Sequence, residues 1–131
     1  MITTERYLDV VVAAKRHAAR LGFDSSVEYS PRDTTEPYVI SISDVSDSNR
    51  HGQLLVFPPE EFMLTSEGIG FIIKQIKKAE EQDGQSILLF CDRTYPLVRK
   101  ILQASGIENH ATTAIYESSD QSFSMDWTLD N

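Results

Sequence analysis

Leu64-Thr65-Ser66-Glu67-Gly68-Ile69-Gly70 is the stretch whose residue types and spacing best suit a chemical task, because it follows an apolar segment and opens an amphipathic one. Thr65 or Ser66 can cap a helix by accepting from its first free N–H groups, and Gly68 and Gly70 let neighbouring backbone come close. The free N–H groups and positive dipole end of such a helix attract an anionic partner or a phosphate. The plainer alternative is a strand-to-helix turn that caps only its own helix.

Other candidates are sparser. Cys91 ends an apolar run, at the kind of strand end that faces a ligand crevice in open α/β sheets, and Asp92 and Arg93 follow it. With no His near it in sequence, the thiol reads as buried and inert, and Asp92 with Arg93 as a loop ion pair. His17, His51 and His110 are far apart and have no ligand-spaced neighbours, so no metal site is expected. Asp44, Asp47 and Asn49 lack the glycine and terminal Glu of a calcium loop and read as a solvated turn. Position 73 is Ile where the dinucleotide fingerprint needs its third glycine, and no glycine-lysine phosphate loop occurs. No cofactor is implied.

The elements that must position these residues follow from periodicity. Leu8, Val11, Val12, Ala18 and Leu21 recur at helical spacing over about 4–21, and Gly22 stands where a left-handed cap belongs. Ser26 to Tyr29 is a weak strand, Tyr38 to Ser43 a clear alternating one, and Gln53 to Phe57 a third that Pro58-Pro59 ends. Ile69, Ile72, Ile73, Ile76 and Ala79 line one face of the next helix, and Lys74, Lys77, Lys78, Glu80 and Glu81 line the other. Ser86 to Cys91 is a continuous apolar run that suits a strand covered on both faces at the centre of a parallel sheet. Pro96 opens a further helix, with Leu97, Val98, Ile101 and Leu102 inward, which Ser105-Gly106 ends. Ala111 to Tyr116 and the alternating Phe123, Met125, Trp127 and Leu129 complete two strands, joined as a hairpin through Ser118 to Gln121. The fold class is therefore α/β: one domain over residues 1–131, a mixed sheet packed by helices in the order α-β-β-β-α-β-α-β-β.

Composition narrows the partners. A chain of 131 residues with 40% hydrophobic content supports one globular core, and no apolar run approaches bilayer length. The N-terminus lacks the basic start and apolar block of a signal peptide, and Cys91 is the single cysteine, so the cytoplasm is the expected compartment. A net charge of −8 argues against tracking phosphates, so nucleic acid is an unlikely partner. Acidic residues gather near the end, at Glu117, Asp120, Asp126 and Asp130.

Residues 54–117 resemble the second half of a STAS domain, the module of anti-anti-sigma factors and of some transporter subunits. That pattern is an apolar strand, a turn of the form Asp-Ser-Ser-Gly-x-Gly, a helix, a strand, and a Ser-Pro-led helix ending in a small residue and Gly. Here it becomes Leu54 to Phe57, Thr65 to Gly70, Phe71 to Gln82, Ile87 to Cys91, and Tyr95-Pro96 to Gly106, with a short insertion at 92–94. The resemblance implies a non-enzymatic regulatory module whose partner is a protein such as a regulatory kinase or a transporter subunit. The serine that is phosphorylated in the family is Glu67 here, which removes the usual acceptor and leaves Ser66 as the alternative switch. Thr65, Ser66, Glu67, Gly68, Lys74 and Lys78 are the expected partner-binding residues.

Two rival readings stand beside it. The opening αβββαβ order also resembles the restriction-endonuclease-like fold, yet no Asp-x-Lys or Glu-x-Lys step exists, and Gln53-Leu54-Leu55 occupies its place on the third strand. An unusual site near Asp33, Glu36 and Asp44 would be needed. The third reading is a small acidic inhibitor or immunity-type protein. An exposed C-terminal edge bearing Phe123, Met125 and Trp127 would favour a homodimer.

Overall fold

A computed structural model describes residues 4–31, 36–59, 65–119 and 122–129, the side chains of Thr4, Glu5 and Leu97 excepted. The chain runs α1 (Thr4–Arg20), β1 (Phe23–Tyr29), β2 (Tyr38–Asp44), β3 (His51–Val56), α2 (Ser66–Glu81), β4 (Gln85–Cys91), α3 (Tyr95–Ala104), a 3-10 turn (Ile107–Asn109), β5 (Thr112–Ser118) and β6 (Phe123–Ser124). This is the element order expected from the periodicities. The strands lie side by side in chain order. β1, β2 and β3 form an antiparallel meander, β3, β4 and β5 run parallel, and β6 returns antiparallel to β5. No helix among the described residues is long and apolar enough to cross a membrane.

β4 occupies the interior of the sheet as its unbroken apolar run requires, with Ile87 to Cys91 fully buried. Alternation along β3 and β4 then divides the core in two. Leu54, Val56, Ile87 and Leu89 face α1, while Leu55, Leu88 and Phe90 face α2 and α3. Gly22 and Gly106 hold positive φ, +86° and +75°, where α1 and α3 give way to the following segments. Gly52 serves a different need: it pairs with Gln85, and a Cβ there would lie 2.2 Å from the Gln85 carbonyl oxygen, so only glycine lets β3 start its parallel ladder with β4.

Three local expectations are corrected. The inner face of α1 is Tyr7, Val10, Val11, Ala14 and Ala18, whereas Leu8, Val12 and Leu21 are substantially exposed. Tyr7 explains the rotation, because its hydroxyl donates to the Val56 carbonyl at 2.6 Å and so turns the helix about that residue. β1 begins at Phe23, three residues earlier than the weak run at Ser26 suggested. The C-terminal alternation forms a ladder only at Phe123 and Ser124, opposite Ser118 and Glu117. Beyond them the chain lies against α1, with Trp127 and Leu129 buried and Phe123 and Met125 packed on the same core. The apolar face expected on an exposed edge is thus spent inside the monomer. Main-chain groups there are met by side chains: the Trp127 carbonyl lies 2.8 Å from His17 Nε2, and the Leu129 carbonyl accepts from Arg50 Nη2 at 2.6 Å. Asp120 and Asp130 lie outside the described residues.

Two buried tyrosines tie opposite parts of the molecule to the end of β3. Tyr7 donates to Val56 from α1, and Tyr116 donates to the Phe57 carbonyl from β5. Burial raises both phenols far above their ordinary value of 10.0. Above that pH an unfolded chain loses tyrosine protons that the fold retains, so stability present below pH 10 drains away as pH rises, by about 1.4 kcal/mol per pH unit for each group. Urea unfolding followed across alkaline pH is expected to show that slope, with Tyr7→Phe and Tyr116→Phe each removing one group's share. A slope unchanged from that of the wild-type chain in both variants would refute the assignment.

Candidate functional site

α2 starts where the side chain of Thr65 can stand in for the missing turn before it. Thr65 has extended backbone, φ −98° and ψ 167°, and its Oγ1 accepts from the Gly68 N–H at 3.0 Å while its carbonyl accepts from Ile69 at 2.9 Å. Of the two possible caps, Thr65 is therefore the one used, and Ser66 is the first helical residue. Ser66 and Glu67 are exposed, Gly68 is buried, and Lys74 and Lys78 are exposed further along. Leu64 lies outside the described residues. Glu67 sits in the first turn, where its charge complements the positive helix end. With the Thr65 hydroxyl and the Glu67 carboxylate both in place, the corner is already compensated and is a poor anion site.

Ile72, Ile76 and Ala79 hold the other face of α2 to the sheet. The outer face is consequently a solvent stripe from Ser66 through Gly70 and Lys74 to Lys78. From Thr65 to Lys78 it extends roughly 20 Å at 1.5 Å per residue, so the expected partner-binding residues form a line and not a cluster. Gly70 stands out on that line: a Cβ built there meets nothing within 4 Å, and the residue is helical. Among the described residues, neither packing nor backbone conformation requires a glycine at that position.

A polar cavity of about 200 Å³ opens near the far end of α2, lined in part by Glu28, Ser41, His51, Gln53, Lys78 and Gln82. Gln53 is buried, and its Nε2 donates to the Gln75 carbonyl at 2.7 Å and to Ser86 Oγ at 3.0 Å. Sequence reasoning did not identify this cavity. A signal existed, since Gln53 and Ser86 are polar residues opening two apolar runs, and they prove to be register partners on adjacent strands. The chemistry on show is that of a tether, because the buried amide joins α2, β3 and β4.

The remaining candidates are dispersed. Cys91 is fully buried, burial raises its thiol pKa, and Sγ contacts Asp92 Oδ1 at 3.2 Å and Ser118 Oγ at 3.6 Å. Asp92 also accepts from the Ser118 N–H at 3.4 Å, so its carboxylate closes the junction of β4 and β5. Asp44 accepts from the Ser46 N–H and hydroxyl and from Arg50, contacts that hold its pKa below the ordinary value. Glu36 accepts from the Tyr29 hydroxyl ahead of β2, whereas Asp44 ends that strand. A strand seven residues long separates them by roughly 20 Å, so they do not share a site; Asp33 lies outside the described residues. His17 contacts Trp127, His51 lines the polar cavity, and His110 lies 3.5 Å from Glu80. No group of three metal-ligating side chains occurs among the described residues.

The fold thus defines an α/β protein with a mixed sheet packed by helices. Comparison of the chain with protein-family models, curated proteins and solved structures finds no match.

The cap and the glycine make opposite predictions for stability. Thr65→Ala removes the acceptor for Gly68 and is expected to cost about 1 kcal/mol. Gly70→Ala adds a side chain into open space and is expected to gain about 0.5–1 kcal/mol. Denaturant midpoints at constant slope measure both, and a destabilised Gly70→Ala would mean that the position is packed.

Proposed function

We propose that the chain is a non-enzymatic, STAS-like regulatory module that docks a protein partner through the Thr65–Gly70 corner and the face of α2 that continues to Lys74 and Lys78. The observation that carries this reading is Gly70, an exposed helical glycine with no described residue packed against its Cα face. Ser66 and Lys74 lie one turn to either side, so a partner's backbone can approach the helix between them closer than a Cβ would allow. Glu67 at one end and Lys74 with Lys78 further along give the face a charge order that can set the partner's orientation. Ser66 is the switch residue, since it is exposed beside Glu67 and a phosphate on it would add further negative charge to the face that a partner meets. A regulatory kinase or a transporter subunit is the partner class, in the cytoplasm, and the net charge of −8 disfavours nucleic acid.

Capture from cell extract tests the surface when wild-type chain is compared with Gly70→Gln, Glu67→Lys and Lys74→Glu, all of which leave the buried face of α2 intact. The same bound protein is expected to be lost with Gly70→Gln and Lys74→Glu. Equal capture by all three variants would refute the docking surface.

The arrangement of α1, β1 to β3, α2 and β4 favours a second reading, a nuclease-like scaffold without a working centre. Its third strand presents Gln53 and Leu55 where an acid-x-lysine step would stand, and Gln53 is engaged with Gln75 and Ser86. Purified chain is expected not to cleave DNA or RNA in magnesium. Cleavage that Asp44→Ala abolishes would replace both proposals with an active nuclease.

A further inference from the structure

We infer that β5 is a pairing edge for a second copy of this chain, joined antiparallel about a two-fold axis at Ala114. This goes beyond the docking reading and uses none of its residues. The two long edges of the sheet differ in kind. β1 carries Asp24 and Glu28 and has a register irregularity between Val27 and Tyr29, features that deter strand addition. The segment Thr112-Thr113-Ala114-Ile115-Tyr116 of β5 has no charge, proline or glycine, and β6 covers its outer side only beyond it, at Glu117 and Ser118.

Hydrogen-bond parity decides which groups are free to pair. The Tyr116 carbonyl accepts from the Asp92 N–H at 2.9 Å, so Tyr116, and by alternation Thr112 and Ala114, direct their main-chain groups at β4. Thr113 and Ile115 direct theirs outward, two N–H and two C=O groups in all. Placing Thr113 of one copy opposite Ile115 of the other lets each pair exchange two N–H···O=C bonds. All outward groups of both copies are then satisfied by four bonds.

The axis falls on Ala114, in a non-hydrogen-bonded pair where Cα atoms approach to about 4.5 Å and a small side chain is favoured. Thr112 then faces Tyr116, the pairing stops short of Glu117 where β6 begins, and no charged residue lies within the paired segment. Sliding by one pair toward the C-terminus would place Thr113 against Glu117, whose outward side β6 already occupies. The register is therefore self-complementary and has a built-in stop. The contact is small compared with standard interfaces, and both copies carry −8, so association is weak, and salt strengthens it by screening.

Sedimentation and light scattering of the full chain, up to about 1 mM, provide the test. The mass is expected to rise from 14.8 kDa toward twice that value, with tighter association at higher salt and slowed amide exchange at Thr113 and Ile115 in the dimer. Thr113→Lys introduces a charge at the edge, and Thr113→Pro removes an outward N–H without touching the β4 ladder. Each is expected to weaken dimerisation at least tenfold with an unchanged circular dichroism spectrum. A wild-type chain that stays monomeric throughout overturns the inference, and so does a dimer that folded Thr113→Lys and Thr113→Pro leave intact.

Discussion

The structure depends on covering β4 on both faces. A strand whose side chains from Ile87 to Cys91 are all apolar cannot border water on either side, so the chain must supply two layers for one sheet. α2 and α3 provide one of them, and they lie before and after β4, as parallel strands joined by helical crossovers require. The other layer needs more than α1 alone. The extended segment at 125–129 completes it by placing Trp127 and Leu129 beside the helix.

Polar tethers then fix these layers in register. Tyr7 and Tyr116 reach successive carbonyls at Val56 and Phe57, so α1 and β5 are both indexed to the end of β3. Gln53 does the same for α2 on the opposite face, and Arg50 joins the β2–β3 connection to Leu129. Each bond satisfies a group that burial would otherwise leave costly, so it discriminates between arrangements that apolar contact alone would leave nearly equal. Arg50 and Asp44 further stabilise their connection with a hydrogen-bonded ion pair at 3.1 Å.

These constraints also bear on where interactions are available. α2 is held by Ile72, Ile76 and Ala79, which leaves Ser66, Gly70 and Lys74 exposed on its outer stripe. β1 is guarded by charge and irregular register, whereas β5 is closed only at one end. The surfaces proposed for a partner and for self-association are thus the parts of the chain that the core does not consume.

Much of the fold is legible in the residues themselves. A continuous apolar run marked β4, a 3.6-residue stripe marked α2, Pro96 marked the start of α3 and Gly22 the end of α1, because these signals depend on local conformation and on which face meets water. The sequence alone also determined the absence of a third dinucleotide glycine and of an acid-x-lysine step, and it located the cap to within one residue. Tertiary structure decided the rest. It rotated α1 onto Tyr7, set Gln53 against Ser86, and separated Glu36 from Asp44 by the length of β2. It also turned the Phe123 to Leu129 alternation from a strand into a covering segment. Period two reports only that one face is buried; whether the backbone meets a neighbouring strand or His17 and Arg50 depends on residues about a hundred positions away. The Thr65 to Gly70 corner shows the same division. Its cap and helix are local facts, while the openness around Gly70 is a tertiary one: among the described residues nothing distant folds over it.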